Sequence, residues 1–336
     1  MIARERLQAL LAAFPKLTVG LIGDLFLDRY LEFVPGVVEY SLETGLEAYQ
    51  IQRVRNAPGA LGTVMNNLTA LGAGLLRPVT VIGDDGHGYD LFRELESPQI
   101  DRAHVLRCRD RLTPTYTKPL RPTAAGGWEE MNRIDVRTRA PLSAETTEAV
   151  CAHVQEAFRS CDGLIVLDQI ADAEHGVVNA RVRGCLERLA AEHPQKLLYV
   201  DSRRFLGQFG FGVLKGNQAE ICAAAGVEQP EKAAGQLARR NSRAVFCTQG
   251  ERGCLVALGA GGVCVAPAFP VTGPIDIVGA GDSATAGIVL TLLAGGTELE
   301  AATAANLVAS ITVQQLGTTG TASPAQVMAR FEEVTG

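Results

Sequence analysis

Short apolar runs that end in Gly, Asp or Thr recur along the chain, at residues 17–23, 78–83, 163–168, 196–201 and 243–248. Runs of about four to eight apolar residues bounded by turn formers are the pattern of strands buried on both faces. Between them lie stretches with apolar residues at helical spacing, at 60–71, 89–96, 143–158, 175–192 and 217–225. Two further Ala-rich helical stretches, 280–294 and 298–316, follow, and a leading helix is expected over 7–14. Strand-then-helix repetition predicts an α/β fold, a doubly wound, mainly parallel sheet with helices on both faces.

Two segments break the alternation, at about 29–55 and 112–134. The first holds β-like runs at 30–34 and 46–54. The second holds runs around 115–120 and 129–134, joined by Ala124-Ala125-Gly126-Gly127. These predict a small β lid beside the main sheet, the alternative being two long surface hairpins with no role. No repeat, low-complexity stretch or linker divides the chain, so one domain is expected over 1–336.

Composition narrows the classes of function. Hydrophobic residues make up 47% of the 336, aromatics 5%, and the formal net charge is −6. Few aromatics and an acidic balance argue against a stacking or basic nucleic-acid surface and an anionic-membrane partner. The eight cysteines form no C-x-x-C pair, and most, such as Cys222, Cys247, Cys254 and Cys264, sit in apolar stretches. They read as reduced core residues rather than as disulfides or zinc ligands. The five histidines, His175 among them, show no metal-ligand spacing and read as structural or exposed. Without a secretory pattern at the start, and with residues 287–295 too short an apolar run to span a bilayer, a cytoplasmic protein is expected.

Polar residues follow several strand runs: Asp24, Asp84, Asp168, Asp201 and Thr248. Each alone reads as a cap or turn former. Together they mark the carboxyl edge where open α/β sheets bind ligands. The most informative stretch is Asp276-Ile277-Val278-Gly279-Ala280-Gly281-Asp282-Ser283, directly before a long apolar helix. Small residues let the backbone turn and bring unpaired amides close to an anion at a helix N-terminus. A carboxylate beside such a cradle can take a proton from a hydroxyl attacking phosphorus.

With Ala286 and Gly287, that stretch resembles the C-terminal motif of the ribokinase-like (PfkB) carbohydrate kinases, D-x-x-G-A-G-D-x-x-x-A/G-G. The likeness runs in family order over roughly three hundred residues. Gly23-Asp24-Leu25-Phe26-Leu27-Asp28-Arg29-Tyr30 resembles the family's first strand. Pro58-Gly59-Ala60, Asn67 and Leu71-Gly72-Ala73 resemble its Gly-Gly pair, downstream Asn and L-G motif. Lys215-Gly216-Asn217-Gln218-Ala219-Glu220 resembles P-N-x-x-E, and Thr248-Gln249-Gly250-Glu251-Arg252-Gly253 resembles T-x-G-x-x-G. Ser41-x-Glu43, Pro114-Thr115-x-x-Lys118, Arg133-Ile134-Asp135 and Leu316-Gly317-Thr318 extend the likeness to the kinase domain of the heptose-7-phosphate kinase/ADP-heptose synthases. Read as it stands, the chain is expected to carry no second, nucleotidyl-transferring domain.

The resemblance implies a ribokinase-like fold and ATP-dependent phosphorylation of a sugar or sugar-phosphate hydroxyl, with a heptose 7-phosphate-like acceptor favoured. Asp282 would be the general base, and Gly279, Ala280 and Gly281 the anion hole. Asp24, Asp28, Gly59 and Asn67 would line the acceptor pocket, Asn67 alternatively being a packed helix residue. Lys118 and Arg133, with Arg29, are lid candidates for a substrate phosphate, set against a solvated surface role. Thr248, Gly250, Gly253, Asp276 and Asn306 would serve ATP. Asn217 and Glu220 would organise Mg2+ through water, which that ion retains. A homodimer clasped through the lid is expected by analogy of fold.

Three departures stand out. Ala60 replaces the family's second glycine, and Thr63 its usual Asn. The Asp-Tyr-x-Lys-Gly stretch of the heptose kinases reads Asp168-Gln169-Ile170-Ala171-Asp172, without the Lys. They motivate an alternative, a non-catalytic nucleotide- or sugar-binding sensor, against which the retained Asp282 argues. A dinucleotide-binding oxidoreductase would need a Gly-rich turn after the first strand, and Gly23-Asp24-Leu25-Phe26 supplies none.

Overall fold

The apolar runs become strands and the periodic stretches helices, in the order α1 Arg4–Ala13, β1 Thr18–Gly23, β2 Leu25–Phe33, β3 Ile51–Ala60, α2 Leu61–Ala70, β4 Leu75–Gly83, α3 Gly86–Glu94, β5 Val105–Cys108, β6 Thr115–Thr123, β7 Gly127–Glu130, β8 Ile134–Val136, α4 Ala144–Ser160, β9 Gly163–Asp168, α5 Ala180–Glu192, β10 Leu197–Ser202, β11 Val213–Asn217, α6 Gln218–Ala225, α7 Pro230–Asn241, β12 Val245–Thr248, β13 Cys254–Ala257, β14 Val263–Ala266, α8 Ala280–Leu293, α9 Glu298–Thr312 and α10 Pro324–Thr335. This is a computed structural model that describes residues 2–124, 126–317 and 319–335. Ala125 of the expected lid turn and Thr318 of the Leu316-Gly317-Thr318 motif lie outside the described residues.

The main sheet has nine strands in the order β14-β13-β12-β11-β10-β9-β1-β4-β5. The strands from β12 to β5 run parallel, and β13 and β14 close one edge antiparallel. Side chains alternate faces along each strand. Ile165 and Leu167 join one core with Leu61 of α2, Ile288 of α8 and Leu307 of α9. Leu164 and Val166 join the other with Val154 of α4, Leu186 of α5 and Leu237 of α7. Parallel strands between two apolar layers need apolar residues at consecutive positions, which is why these runs do not alternate.

The segments outside the alternation form a second, five-stranded sheet, β3-β2-β6-β7 with β8 on β6. Its outline differs from the expectation. The strand expected over 46–54 is β3, Ile51–Ala60, paired with β2 as far as Leu25 opposite Ala60. The second sheet therefore starts one residue after β1 ends, and its inner end abuts the carboxyl edge of the main sheet.

The helix expected over 175–192 begins only at Ala180, where the Asn179 side chain accepts from the Val182 amide (3.1 Å). Val177 and Val178 are fully buried, yet they belong to a connection that wraps over Asp24. Helices α7 and α10 and the hairpin β13–β14 were not expected. The cysteines are free, as expected, although Cys222 and Cys264 are only half-buried. Burial pushes the Cys247 and Cys254 thiols up to about 12, so they are protonated and inert at neutral pH.

Ala60, at the junction of β3 and α2, holds φ 53° and ψ −110°. A Cβ is strained there, at a cost of about 1–3 kcal/mol, and glycine is the residue that adopts such angles freely. This is the position where the resemblance places a glycine. Ala60→Gly is expected to stabilise the protein by about 1 kcal/mol, strain relief exceeding the added backbone entropy of roughly 0.5–1 kcal/mol. The urea midpoint checks it. A lower midpoint in the variant would mean that the methyl group's packing outweighs the strain.

Candidate active site

Helix α8 starts at the carboxyl edge of the sheet, and its start is built by the backbone. Gly279 caps it in the left-handed region, at φ 80°. The Ala280 amide donates to the Ile277 carbonyl (3.1 Å), and the Ser283 amide to Gly279 (2.9 Å). Of the expected anion hole, Ala280 thus has its N–H engaged in the turn. The first-turn amides of Gly281 and Asp282 have no carbonyl four residues back within the helix, and the dipole favours an anion beside them. Asp276 staples this loop. Its carboxylate accepts from the amides of Val278 (3.0 Å) and Gly317 (3.1 Å).

Asp282 sits half-buried in that first turn. Burial is the main cause that pushes its carboxyl up to about 7, helped by Asp201 and opposed by Lys215 and Arg203. A carboxyl titrating near 7 is a proton acceptor of the strength that general-base catalysis at neutral pH requires.

Under the cradle lies a pair that the sequence reading left out. Lys215 donates to Asp201 at 2.6 Å, and both side chains are 7% exposed. Thr285 of α8 also donates to Asp201 (3.3 Å) and meets the Tyr199 hydroxyl (3.3 Å). A Cβ placed at Gly281 would stand 3.1 Å from the Lys215 Nζ, so the ammonium is in reach of an anion held by these amides. The attraction of Asp201 outweighs burial and keeps the Lys215 pKa raised, so it is charged. One signal was available in sequence: a lysine in a strand otherwise apolar, next to an Asp-ended neighbour.

Along the same edge the carboxylates feel one another. Asp168, which accepts from Ser202 Oγ (2.7 Å), is pushed to about 7 by burial first, then by Asp24 and Asp201. Asp24 is buried and raised by desolvation. Its Oδ1 accepts from the Val177 amide (2.8 Å), and its Oδ2 has no hydrogen-bond partner among the described residues. Arg111, also missed, is buried and acts on Asp24 by its charge. One nitrogen of its guanidinium donates to the His175 carbonyl (3.3 Å), while Nε and Nη1 are without partners among the described residues. Buried polar groups left unpaired are the ordinary mark of a site made for a ligand.

On the small sheet, Lys118 reaches Asp28 (3.2 Å) and the Tyr30 hydroxyl (3.2 Å). Gly59 faces them, and a Cβ there would come within 2.7 Å of Asp28 Oδ2, so a side chain at 59 would make the Asp28 carboxylate shift. Lys118 is therefore not a solvated surface lysine. Arg133 is exposed and held by Asp135 (2.6 and 3.0 Å) over the Tyr116 ring. Arg29 is taken by Asp90 and Asn56. Asn67 is fully buried, its amide donating to the Thr63 carbonyl (2.9 Å) while its Oδ1 has no partner among the described residues.

At the far end of the edge, Asn217 and Glu220 form a reciprocal capping box at the start of α6, with bonds of 3.0 and 2.8 Å. Glu220 carries a raised pKa, chiefly from burial, and senses Asp201 and Lys215. Its Oε2 is used by the cap, whereas no hydrogen bond to its Oε1 is made among the described residues. Thr248 ends β12, and Gly250 and Gly253 frame the turn into β13. Asn306, expected to serve ATP, lies on α9 beside the end of β14. Its amide holds the carbonyls of Ala266 and Pro267 (2.9 and 3.0 Å). A cavity of about 940 Å³ is lined by Leu197, Val213 and Ala244, at the strands' opposite ends.

The chain is similar to known proteins in sequence and in fold. Residues 210–326 match the pfkB family carbohydrate kinase model. The bifunctional protein HldE of Gluconacetobacter diazotrophicus is 30% identical over 95% of this chain, and that of Rhodopseudomonas palustris 33% identical over 92%. The chain spans 64% and 62% of those relatives, less than two thirds of their length. Escherichia coli phosphofructokinase-2 superposes with a TM-score of 0.70 at 16% identity, covering 95% of this chain and 100% of that one. Arabidopsis thaliana ribokinase complexed with ribose and ATP gives 0.66 at 16% identity, covering 94% and 99%. The chain belongs to the PfkB, ribokinase-like family of carbohydrate kinases. Within that family it stands close to the HldE kinase domain.

Proposed function

We propose that this chain transfers the γ-phosphoryl group of ATP, as the Mg2+ complex, to a hydroxyl of a sugar or sugar phosphate, a heptose 7-phosphate-like acceptor being favoured. The observation that carries the reading is Asp282, half-buried in the first turn of α8 beside unpaired amides and the Lys215 ammonium, with its carboxyl near 7. Asp282 takes the acceptor's proton. The amides of Gly281 and Asp282 and the charge of Lys215 stabilise the transferring phosphoryl. Asp24 and Asp28 accept hydrogen bonds from acceptor hydroxyls, and Arg111 and Lys118 are the cations facing them. Asn217 and Glu220 would hold Mg2+ through water, and the ion would supply charge neutralisation at the phosphates. The small sheet serves as a lid on a single kinase domain.

The absent family lysine at 169–172 favours an acceptor whose anionic group is met by Arg111 or Lys118. The test is turnover of ATP with Mg2+ against a panel of sugars and their phosphates. Phosphorylated acceptors are expected to exceed their unphosphorylated parents in kcat/KM. Nucleotide binding with no turnover on any member would overturn the reading in favour of a sensor. Val54, Trp128 and Ile134 are exposed on the small sheet, with Val38, Tyr40 and Leu46 on its loop. Such a surface supports a homodimer through the lid, and a monomer mass by light scattering would remove that part.

A further inference from the structure

His104 ends a short 3₁₀ turn, Arg102–His104, immediately before β5. His153 and Glu156 lie three residues apart on α4, hence on one helix face. The two Nδ1 atoms stand 2.9 Å apart, and a carboxylate oxygen of Glu156 falls within 4.8 Å of both rings' donor atoms. Among the described residues this is the single group of three metal-ligating side chains so placed. We propose that His104, His153 and Glu156 form a binding site for one divalent transition-metal ion of the zinc class.

The donor set points to the ion. Two imidazole nitrogens and one carboxylate suit Zn2+, Ni2+ or Cu2+ and are a poor set for Mg2+ or Ca2+, which take oxygen. Nitrogens on one tetrahedral zinc ion, bound at about 2.0–2.1 Å, lie about 3.3 Å apart, close to the separation of the two rings. Glu156 is exposed and forms no ion pair among the described residues, so a rotamer change brings it in. Water would complete the shell. A hydrogen bond between opposite tautomers accounts for the two rings but not for the third donor converging on them.

The place also defines the consequence. β5 runs parallel to β4 from Val105, so His104 stands at the amino-terminal edge of the sheet, opposite the phosphoryl-transfer edge. An ion there would clamp the turn before the edge strand β5 onto α4. Its role is structural, and it does not rest on the kinase reading.

The test uses the full chain, stripped with chelator and without nucleotide, titrated with Zn2+ by calorimetry and by thermal melting. One equivalent per chain and a concentration-dependent rise in Tm are expected, with no rise from Mg2+ at equal concentration. His153→Gln and Glu156→Gln are expected to weaken binding by at least about tenfold, since loss of even an outer-shell partner costs about 10–100-fold. Glu156 is exposed, so its variant folds even where His153→Gln does not. A wild type without saturable zinc binding overturns the proposal and leaves a plain imidazole–imidazole hydrogen bond. So does binding unchanged in both variants, which would place the zinc outside this cluster.

Discussion

Replacing Asp282 with asparagine is expected to lower turnover of the best acceptor by about two to four powers of ten, the usual worth of a positioned proton acceptor. Asparagine keeps the shape and the helix start while losing the basic oxygen. Nucleotide affinity, set by amides and Lys215, should change far less than kcat. The fold should not suffer. A carboxyl raised to about 7 by burial prefers its neutral form, so a neutral amide in its place leaves stability at pH 8 equal or higher. Unchanged turnover in the variant would remove Asp282 from the chemistry.

The same carboxyl sets the pH dependence. As base it must be ionised, so kcat/KM should rise with pH through about 7. Its effect on stability has the opposite slope. Between its ordinary value near 4 and the folded value near 7, only the folded chain holds the proton. Its stabilising contribution is full below that window and lost as pH climbs through it. Asp168, also near 7, titrates in the same window. The acid limb of kcat/KM should vanish in Asp282→Asn. A limb that survived would belong to Asp168.

Legibility in the sequence followed the physics of each feature. Parallel strands such as 163–168 announce themselves because both faces are buried, and the small-residue turn before Asp282 because close backbone approach to an anion admits little else. The strand Ile51–Ala60 was misplaced because its outer half is exposed and polar, and pairing with β2 rather than its own pattern fixes it. Residues 175–179 read as helix from apolar Val177 and Val178, whereas the Val177 amide is used to bond Asp24. Asn217 and Glu220 were given to Mg2+ and Asp276 to ATP; each also caps a helix or staples a loop, bonds that local sequence allows as readily as a ligand contact. Lys215 and Arg111 escaped because a charged residue is assumed to be on the surface until a buried partner is in view. His104 and His153 are 49 positions apart, so no linear spacing joins them.

Lys215→Met is expected to cost about 3–5 kcal/mol of stability, because Asp201 would be left buried without its countercharge. Thr285 offers Asp201 only a longer hydrogen bond (3.3 Å). Urea unfolding reads this directly. Asp201→Asn added to Lys215→Met should recover much of the loss, since an unpaired charge, not the absence of an ion pair, is what destabilises. The catalytic consequence separates from the structural one. Lys215 lowers the Asp282 pKa, so Lys215→Met alone should carry its acid limb of kcat/KM to higher pH than wild type. In the restabilised double variant, loss of Asp201, which raises the Asp282 pKa, opposes that movement. There the telling measurement is kcat on the alkaline plateau. If Lys215 stabilises the transferring phosphoryl, kcat stays low although the fold is restored. A double variant with wild-type kcat on that plateau would confine Lys215 to neutralising Asp201, and the cradle at the start of α8 would then act through its amides alone.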